Sequence, residues 1–494
     1  MKKLQLNNIF KFFGVLILLI IAVVYHLSTL NQYHNWGPDF ATYVGQAIGI
    51  VDGFEYLELF RVGEDLHVYP WGFPTLLAPI YAIWGFNLQA LKIFVTSFFF
   101  LSLPMIFVLF ADRLSYISKY VIVVFLVLNP FHNYFKNNIL SDFPFLFFSL
   151  LSIYLIQYFY VDGKKLFKHK SFDSILLGIV LVFTYQIRTQ GIVLVPILLL
   201  AQYIYLRKKK SCAQSIGKES ILVHLIPLGL FVLVTYLINL LITTGDGSYL
   251  LLLRERINIS WIIANIKYYL FLPIDYLRDR KITTMLYGLS LYFFIKGGIS
   301  RIKDDYIYLL YMLGSIGLLI LWPFQQGPRF ILSVVPYYLY FLFVGLEDVS
   351  LGGRFPLVEK YQKIYSPLLA GVLVLMLFGP DFIDAYSFVG GNQGHRDGPY
   401  SLESQEMFEY IIRETDTDAV FMFRKSPIIP LYANRKAVHE SINIDNVKLS
   451  AADYYIYHPT LSNNELMVEM DMRTNEYELV FENDMFKIYR LIYP

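Results

Sequence analysis

Residues 36–43 read Trp36-Gly37-Pro38-Asp39-Phe40-Ala41-Thr42-Tyr43, and the polar interruption they open closes at Tyr69-Pro70-Trp71-Gly72-Phe73-Pro74. An apolar run precedes this stretch, and mostly lipid-grade sequence follows it as far as residue 385. Membrane helices can be joined by a few residues, so an interruption spanning 31–87 is more than a connector. An acidic residue held there, Asp39, asks for a chemical explanation.

Composition places the chain in a bilayer. Of its 494 residues 56% are hydrophobic, 18% aromatic and 16% charged, too little charge for a soluble protein of this length. Apolar runs of about 20 residues read as spanning helices. Eleven are expected, at 10–30, 88–110, 118–132, 139–160, 172–188, 191–206, 220–243, 282–298, 305–322, 330–346 and 366–385. The first follows Lys2-Lys3; it is too long for a cleaved signal and no small-x-small site follows, so it reads as a retained signal anchor. Lysine and arginine clusters at 2–11, 164–170, 207–210, 296–303 and 360–363 all fall on one side if the N-terminus is cytosolic, as the positive-inside bias requires. Loop 31–87, the loop before Asp142, Arg188, loop 244–281, the segment from Trp322 to Arg329 and the C-terminus then lie outside. Prolines 70, 74 and 79 break the apolar segment 69–85, which reads as an interfacial helix. The single cysteine, Cys212, excludes an internal disulfide framework and a cysteine-based zinc site; beside Lys208-Lys209-Lys210 it reads as a cytosolic loop residue without a role.

The composition shifts near 386. Gly390-Gly391-Asn392-Gln393-Gly394 reads as a linker. Alternating patterns then predict a helix over 401–414, a strand over 418–423, a helical turn over 426–432, and strands over 435–439, 453–457, 476–481 and 485–491. The expected architecture is a mainly α polytopic membrane domain (1–385) with about eleven transmembrane helices, followed by a small α/β extracytoplasmic domain (386–494).

Asp39 and Asp142 lead the candidates for chemistry. The plain reading of each is a helix N-cap, with Pro144 in the first turn after Asp142. For Asp39 the alternative is a general base toward a hydroxyl, or a metal ligand; Asp142, an ionisable group at the edge of a span, otherwise calls for a partner. Tyr43, four residues from Asp39, shares its helix face, and His67 and Tyr69 join it as candidate substrate-positioning side chains. Arg188, Arg254, Arg256, Lys267 and Arg329 run against the positive-inside bias. Each alone can snorkel to headgroups; together they read as an anion site, since guanidinium matches phosphate geometry. The histidines, including His132 and His395, have no zinc spacing, and Gly390–Gly394 is not followed by Lys-Ser/Thr, so no nucleotide loop is expected. Nothing points to a nucleic-acid partner.

Five segments in order carry a resemblance: 37–43; 69–79; Leu140-Ser141-Asp142-Phe143-Pro144-Phe145; Arg188-Thr189-Gln190-Gly191; and 328–336 from Pro328-Arg329-Phe330 to Pro336. They resemble the membrane glycosyltransferases of the GT-C fold, in the bacterial branch related to protein O-mannosyltransferases and the lipid A aminoarabinose transferase. Phe40 follows Asp39 where protein mannosyltransferases carry Asp-Glu, Thr189-Gln190 stands for Pro-Glu, and Trp71 replaces a proline, which leaves the acceptor open. The resemblance implies an enzyme of the bacterial plasma membrane that takes a sugar from a polyprenyl-phosphate donor to a lipid, glycan or protein acceptor on the outer face. Asp39 is then the base of an inverting displacement. Asp142 positions the acceptor or holds Asp39, a divalent metal being one means, and the outer basic residues bind the donor phosphate. A polysaccharide polymerase or ligase, and a transporter of lipid-linked substrates, are the competing expectations; a transporter calls for polar or broken helices near the bilayer midplane.

Overall fold

Each of the eleven apolar runs coincides with a helix in the computed structural model, which describes residues 2–31, 33–62, 65–66, 69–211, 218–241, 258–277, 281–348, 361–390, 398–440 and 452–492. His67, Cys212, Arg254, Arg256, His395 and most of the expected linker lie outside the described residues. In chain order the helices of the apolar part are α1 (Lys2–Ser28), α2 (Pro38–Asp52), α3 (Gly72–Trp84), α4 (Leu88–Leu109), α5 (Tyr116–Leu128), α6 (Pro130–Phe135), α7 (Asp142–Ile156), α8 (Lys170–Ile187), α9 (Leu194–Ser211), α10 (Lys218–Leu241), α11 (Ile259–Tyr276), α12 (Lys281–Arg301), α13 (Tyr306–Leu321), α14 (Val335–Glu347) and α15 (Gln362–Gly390). The chain is a mainly helical polytopic membrane protein. Among the described residues seven helices are long and apolar enough to cross a membrane: α4, α7 with the helical turn that continues it to Val161, α8, α9 with the turn that opens it at Thr189, α10, α12 and α15. The other four expected spans fall on shorter apolar helices; at 1.5 Å per residue a 13-residue helix such as α5 covers about 20 Å of a core about 30 Å thick.

Local chemistry explains where the helices depart from the expected bounds. The run 118–132 stops at Leu128 because Pro130 cannot continue the hydrogen-bond ladder; Asn129 turns the chain and accepts from the Phe131 amide at 3.0 Å to start α6. Asn258 likewise accepts from the Trp261 amide at 2.8 Å and starts α11 inside the expected loop 244–281. The Asn, Lys and Tyr residues of α11 dilute its apolar signal. Helices α12 and α14 cross at reciprocal glycines: a Cβ on Gly297 would lie 2.0 Å from the Phe341 carbonyl oxygen, and one on Gly345 1.9 Å from that of Phe293. Only residues without a side chain allow this approach.

The C-terminal region carries α16 (Leu402–Glu414), β3 (Val420–Phe423), α17 (Ile428–Ala433), β4 (Lys436–His439), β5 (Tyr454–Tyr457), α18 (Asn464–Met472), β6 (Tyr477–Glu482) and β7 (Lys487–Leu491), after a hairpin of β1 (Arg61–Val62) and β2 (Asp65–Leu66) in the first loop. Its sheet runs β4-β3-β5-β7-β6. β3 pairs parallel with β4 (Phe421 beside Ala437) and with β5 (Phe421 beside Tyr454), whereas β7 is antiparallel to both neighbours. Helix α18 was not expected from the sequence. The sheet packs on the first loop through Trp36, whose ring lies 5.8 Å from Phe423 and 5.9 Å from Phe486, and Tyr56 donates to the Pro430 carbonyl at 3.2 Å.

Candidate active site

Four chain ends meet at one end of the helical bundle. Helix α7 begins at Asp142 and the neighbouring α8 ends at Ile187, where the backbone of Arg188 turns extended (φ −151°, ψ 131°). Residues Gly327–Ile331 form a 3-10 turn after α13, and α2 begins at Pro38. The side chains converge on two carboxylates. Arg188 Nη1 donates to Asp142 Oδ1 at 2.5 Å, Arg329 Nε donates to Asp142 Oδ2 at 3.0 Å, and Arg329 Nη1 donates to Asp39 Oδ2 at 2.6 Å. Tyr69 completes the set, its hydroxyl donating to Asp39 Oδ1 at 2.9 Å. Arg188 also lies over the Phe330 ring, 4.7 Å from its centroid.

Neither aspartate caps its helix. Gly37 and Ser141 hold the N-cap positions, and neither start has a side-chain cap bond. The plain N-cap reading therefore gives way for both residues, because two guanidiniums offer stronger charge-assisted partners than a backbone amide does. The two carboxylates differ in exposure: the Asp142 side chain is 1% exposed and that of Asp39 25%. Asp39 and Arg329 face a cleft of ≈ 670 Å³, which His34, Asn35, Phe131 and Tyr134 also line. Asp142 lies behind it.

Burial pushes the Asp39 carboxyl upward in pKa, but the Arg329 guanidinium and the Tyr69 hydroxyl outweigh burial and hold it below the ordinary value. Burial opposes the charge on Arg329 too, and Asp142 with Asp39 holds that guanidinium protonated. Burial pushes the Tyr43 hydroxyl up to about 12, so it stays a neutral donor.

Tyr43 reaches Ser141 Oγ at 3.3 Å and packs on the Tyr69 ring at 4.6 Å. The structure thus brings together Asp39, Asp142, Arg188, Arg329, Tyr43 and Tyr69 among the expected site residues. Lys267 stands exposed on α11, and no hydrogen bond or ion pair among the described residues joins it to the cluster. Gln46 was not expected: its amide clamps the Tyr69 backbone through both N–H and C=O, each at 2.9 Å. Its spacing of seven residues from Asp39, two helical turns, was the available signal. Lys92, buried, was missed as well; its ammonium donates to the carbonyls of Asn31, at 2.8 Å, and Tyr33, holding the entry to the first loop. No group of three His, Cys, Asp or Glu side chains among the described residues is arranged to hold a metal ion. Asp39 and Asp142 both spend oxygens on Arg329, which stands between them, so this donor set does not fit a divalent cation bridging the pair.

No family model matches the chain, and no curated protein does. Solved structures do. The ArnT of Cupriavidus metallidurans bound to undecaprenyl phosphate superposes with a TM-score of 0.61 at 10% identity, covering 96% of this chain and 97% of that one. The archaeal oligosaccharyltransferase AglB of Archaeoglobus fulgidus, in complex with an inhibitory peptide and a dolichol-phosphate, superposes with a TM-score of 0.57 at 11% identity, covering 91% of this chain and 70% of that one. This chain has the GT-C fold. At such identities the likeness carries the fold, and the GT-C architecture spans the helical bundle and the C-terminal region together.

Proposed function

We propose that this chain is a membrane glycosyltransferase that moves a sugar from a polyprenyl-phosphate-linked donor to a hydroxyl acceptor, with inversion at the anomeric carbon. The observation that carries the reading is the Asp39–Arg329–Asp142–Arg188 chain opening on a cleft through Asp39 and Arg329. The undecaprenyl phosphate bound by the ArnT of the same fold supports the class of donor. The chain crosses a bacterial plasma membrane eleven times, with a cytosolic N-terminus and with the cleft and the C-terminal domain (386–494) outside. Nucleotide sugars are absent there, which is why the donor is lipid-linked.

Asp39 takes the acceptor hydroxyl proton as that oxygen attacks the anomeric carbon. The bond from that carbon to the phosphate oxygen breaks, and its electron pair leaves on the lipid phosphate. Arg329 and Arg188, both oriented by Asp142, stabilise the growing charge. Tyr69 and Tyr43 hold the Asp39 side of the cleft. Arg254, Arg256 and Lys267 remain candidates for the outer part of the phosphate path.

A direct test measures undecaprenyl phosphate binding and sugar transfer from a radiolabelled polyprenyl-phosphate sugar. Arg329→Gln should weaken both. Asp39→Asn should abolish transfer and leave binding intact. Full transfer by the Asp39→Asn protein removes it as the base, and lipid movement without a new glycosidic bond replaces the transferase reading with a transporter.

A further inference from the structure

The sheet of the C-terminal region has a topological switch point. From β3 the chain passes to β4 on one side, and β5 lies on the other, all three strands parallel. Open α/β sheets take ligands in the crevice outside the carboxyl ends of the two strands at such a point. Here those ends are Phe423 and Tyr457. Trp36 packs against them, 5.8 Å from the Phe423 ring and 6.0 Å from the ring of His458, the residue after Tyr457. Trp36 stands three residues before Asp39. The edge that this topology suits to a ligand therefore packs, through Trp36, on the segment that leads into Asp39.

That edge brings charge with it. Arg424 and Lys425 follow Phe423 directly, the first exposed and the second half-buried. Lys425 is within electrostatic reach of Asp39: burial and Arg424 push its ammonium pKa down, and Asp39 pulls it up. Among the described residues no hydrogen bond or ion pair engages the Lys425 ammonium. In the central cluster the charges of Asp39 and Asp142 cancel those of Arg188 and Arg329. Lys425 adds a positive charge that the cluster has not consumed. A polyprenyl phosphate is tied to the bilayer by its chain, whereas Lys425 is carried by a sheet packed on the first loop, on the side of Asp39. A cation carried by that sheet, and not by the helical bundle, suits an incoming acceptor better than the lipid-tethered donor.

We propose that the Arg424-Lys425 loop is an acceptor-recognition site for a molecule bearing an anionic group, phosphate or carboxylate, near the hydroxyl that is glycosylated. The proposal rests on the reading of Asp39 as the acceptor-side base. It is tested with the full chain in nanodiscs, titrated separately with glucose 6-phosphate, glucose and undecaprenyl phosphate. Glucose 6-phosphate should bind and glucose should not at the same concentration. Lys425→Gln should weaken glucose 6-phosphate roughly fivefold or more, as loss of one charge-assisted contact does, and Lys425→Arg should restore it. Undecaprenyl phosphate should bind all three proteins alike. Equal glucose 6-phosphate affinity in the wild type and Lys425→Gln, or none in the wild type, overturns the proposal. So does a loss of undecaprenyl phosphate binding in Lys425→Gln, because the cation then serves the donor. A wild type that binds glucose 6-phosphate through Lys425 but does not bind undecaprenyl phosphate supports the anion site and removes the transferase reading instead.

Discussion

Asp39 and Asp142 occupy the first turns of two helices and share one arginine, yet substitutions at the two should behave differently. Asp142 is enclosed, and both of its oxygens are taken by guanidiniums. Asp142→Asn leaves two mostly buried cations short of their counter-charge; removing one partner of such a pair costs about 3–5 kcal/mol, read as a lower unfolding midpoint in detergent. Asp39 is partly open to the cleft, and Arg329 keeps Asp142 when Asp39 is neutralised, so Asp39→Asn should cost less stability than Asp142→Asn, while transfer falls roughly 10²–10⁴-fold, the usual share of a general base. The pH dependence tests the same residue. Burial alone would raise the Asp39 pKa, but Arg329 and Tyr69 lower it below 3.8. The stabilisation this gives is present above 3.8 and is lost as the pH falls through the lowered folded value. In the free enzyme Asp39 is thus charged but weakly basic. On the proposed reading a donor phosphate draws Arg329 toward itself, and the carboxyl should become more basic as the donor binds. The acid limb of kcat should therefore lie at higher pH than that of kcat/KM, since the two report the bound and the free enzyme. Coincident limbs would show that Arg329 does not change partners.

Helix α3 reaches the site through a glycine. A Cβ on Gly72 would lie 2.5 Å from the Gln186 carbonyl carbon and 2.6 Å from the Ile187 amide nitrogen, both backbone atoms next to Arg188. Neither can yield as a side chain can. Gly72→Ala should cost about 1–3 kcal/mol by overpacking and, because Tyr69 and Arg188 flank the contact, should lower transfer as well; the unfolding midpoint and kcat measured together check both. Gly85→Ala provides a contrast: its Cβ meets nothing within 4 Å, and the strain comes from its φ of +62°. At this scale much of the molecule was legible. Hydropathy located the apolar helices, and period-2 patterning located the C-terminal strands, because buried faces leave a regular mark on sequence. Helices α11 and α18 escaped for lack of a clean apolar stripe. The first turns at Asp39 and Asp142 were legible as helix starts, but their arginine partners were not: no local spacing links residue 39 to 329 or 142 to 188.

The whole molecule depends on a contact that sequence patterning could not show. The strands after residue 418 were legible, but the docking of their sheet on the first loop joins Trp36 to Phe423, His458 and Phe486 across hundreds of residues. Trp36 is buried at 5% exposure, and truncating such a side chain to alanine typically costs about 3–5 kcal/mol. Trp36 joins the first loop to the sheet, so the loss should appear first as loosening between them. In Trp36→Ala, amide hydrogen exchange should rise in 36–40 and at the carboxyl ends of β3 and β5, with α4 and α7 unchanged. On the proposed reading undecaprenyl phosphate is held by Arg188, Arg329 and Asp142, which this contact does not touch, so its binding should stay within about twofold of the wild type. Transfer should fall much further, because the loop that aims Asp39 and the edge that carries Lys425 lose their common anchor. Trp36→Phe, which keeps an aromatic edge against Phe423, should recover most of it. A Trp36→Ala protein with normal transfer and raised exchange would mean that the C-terminal domain acts on the cleft by some route other than this contact.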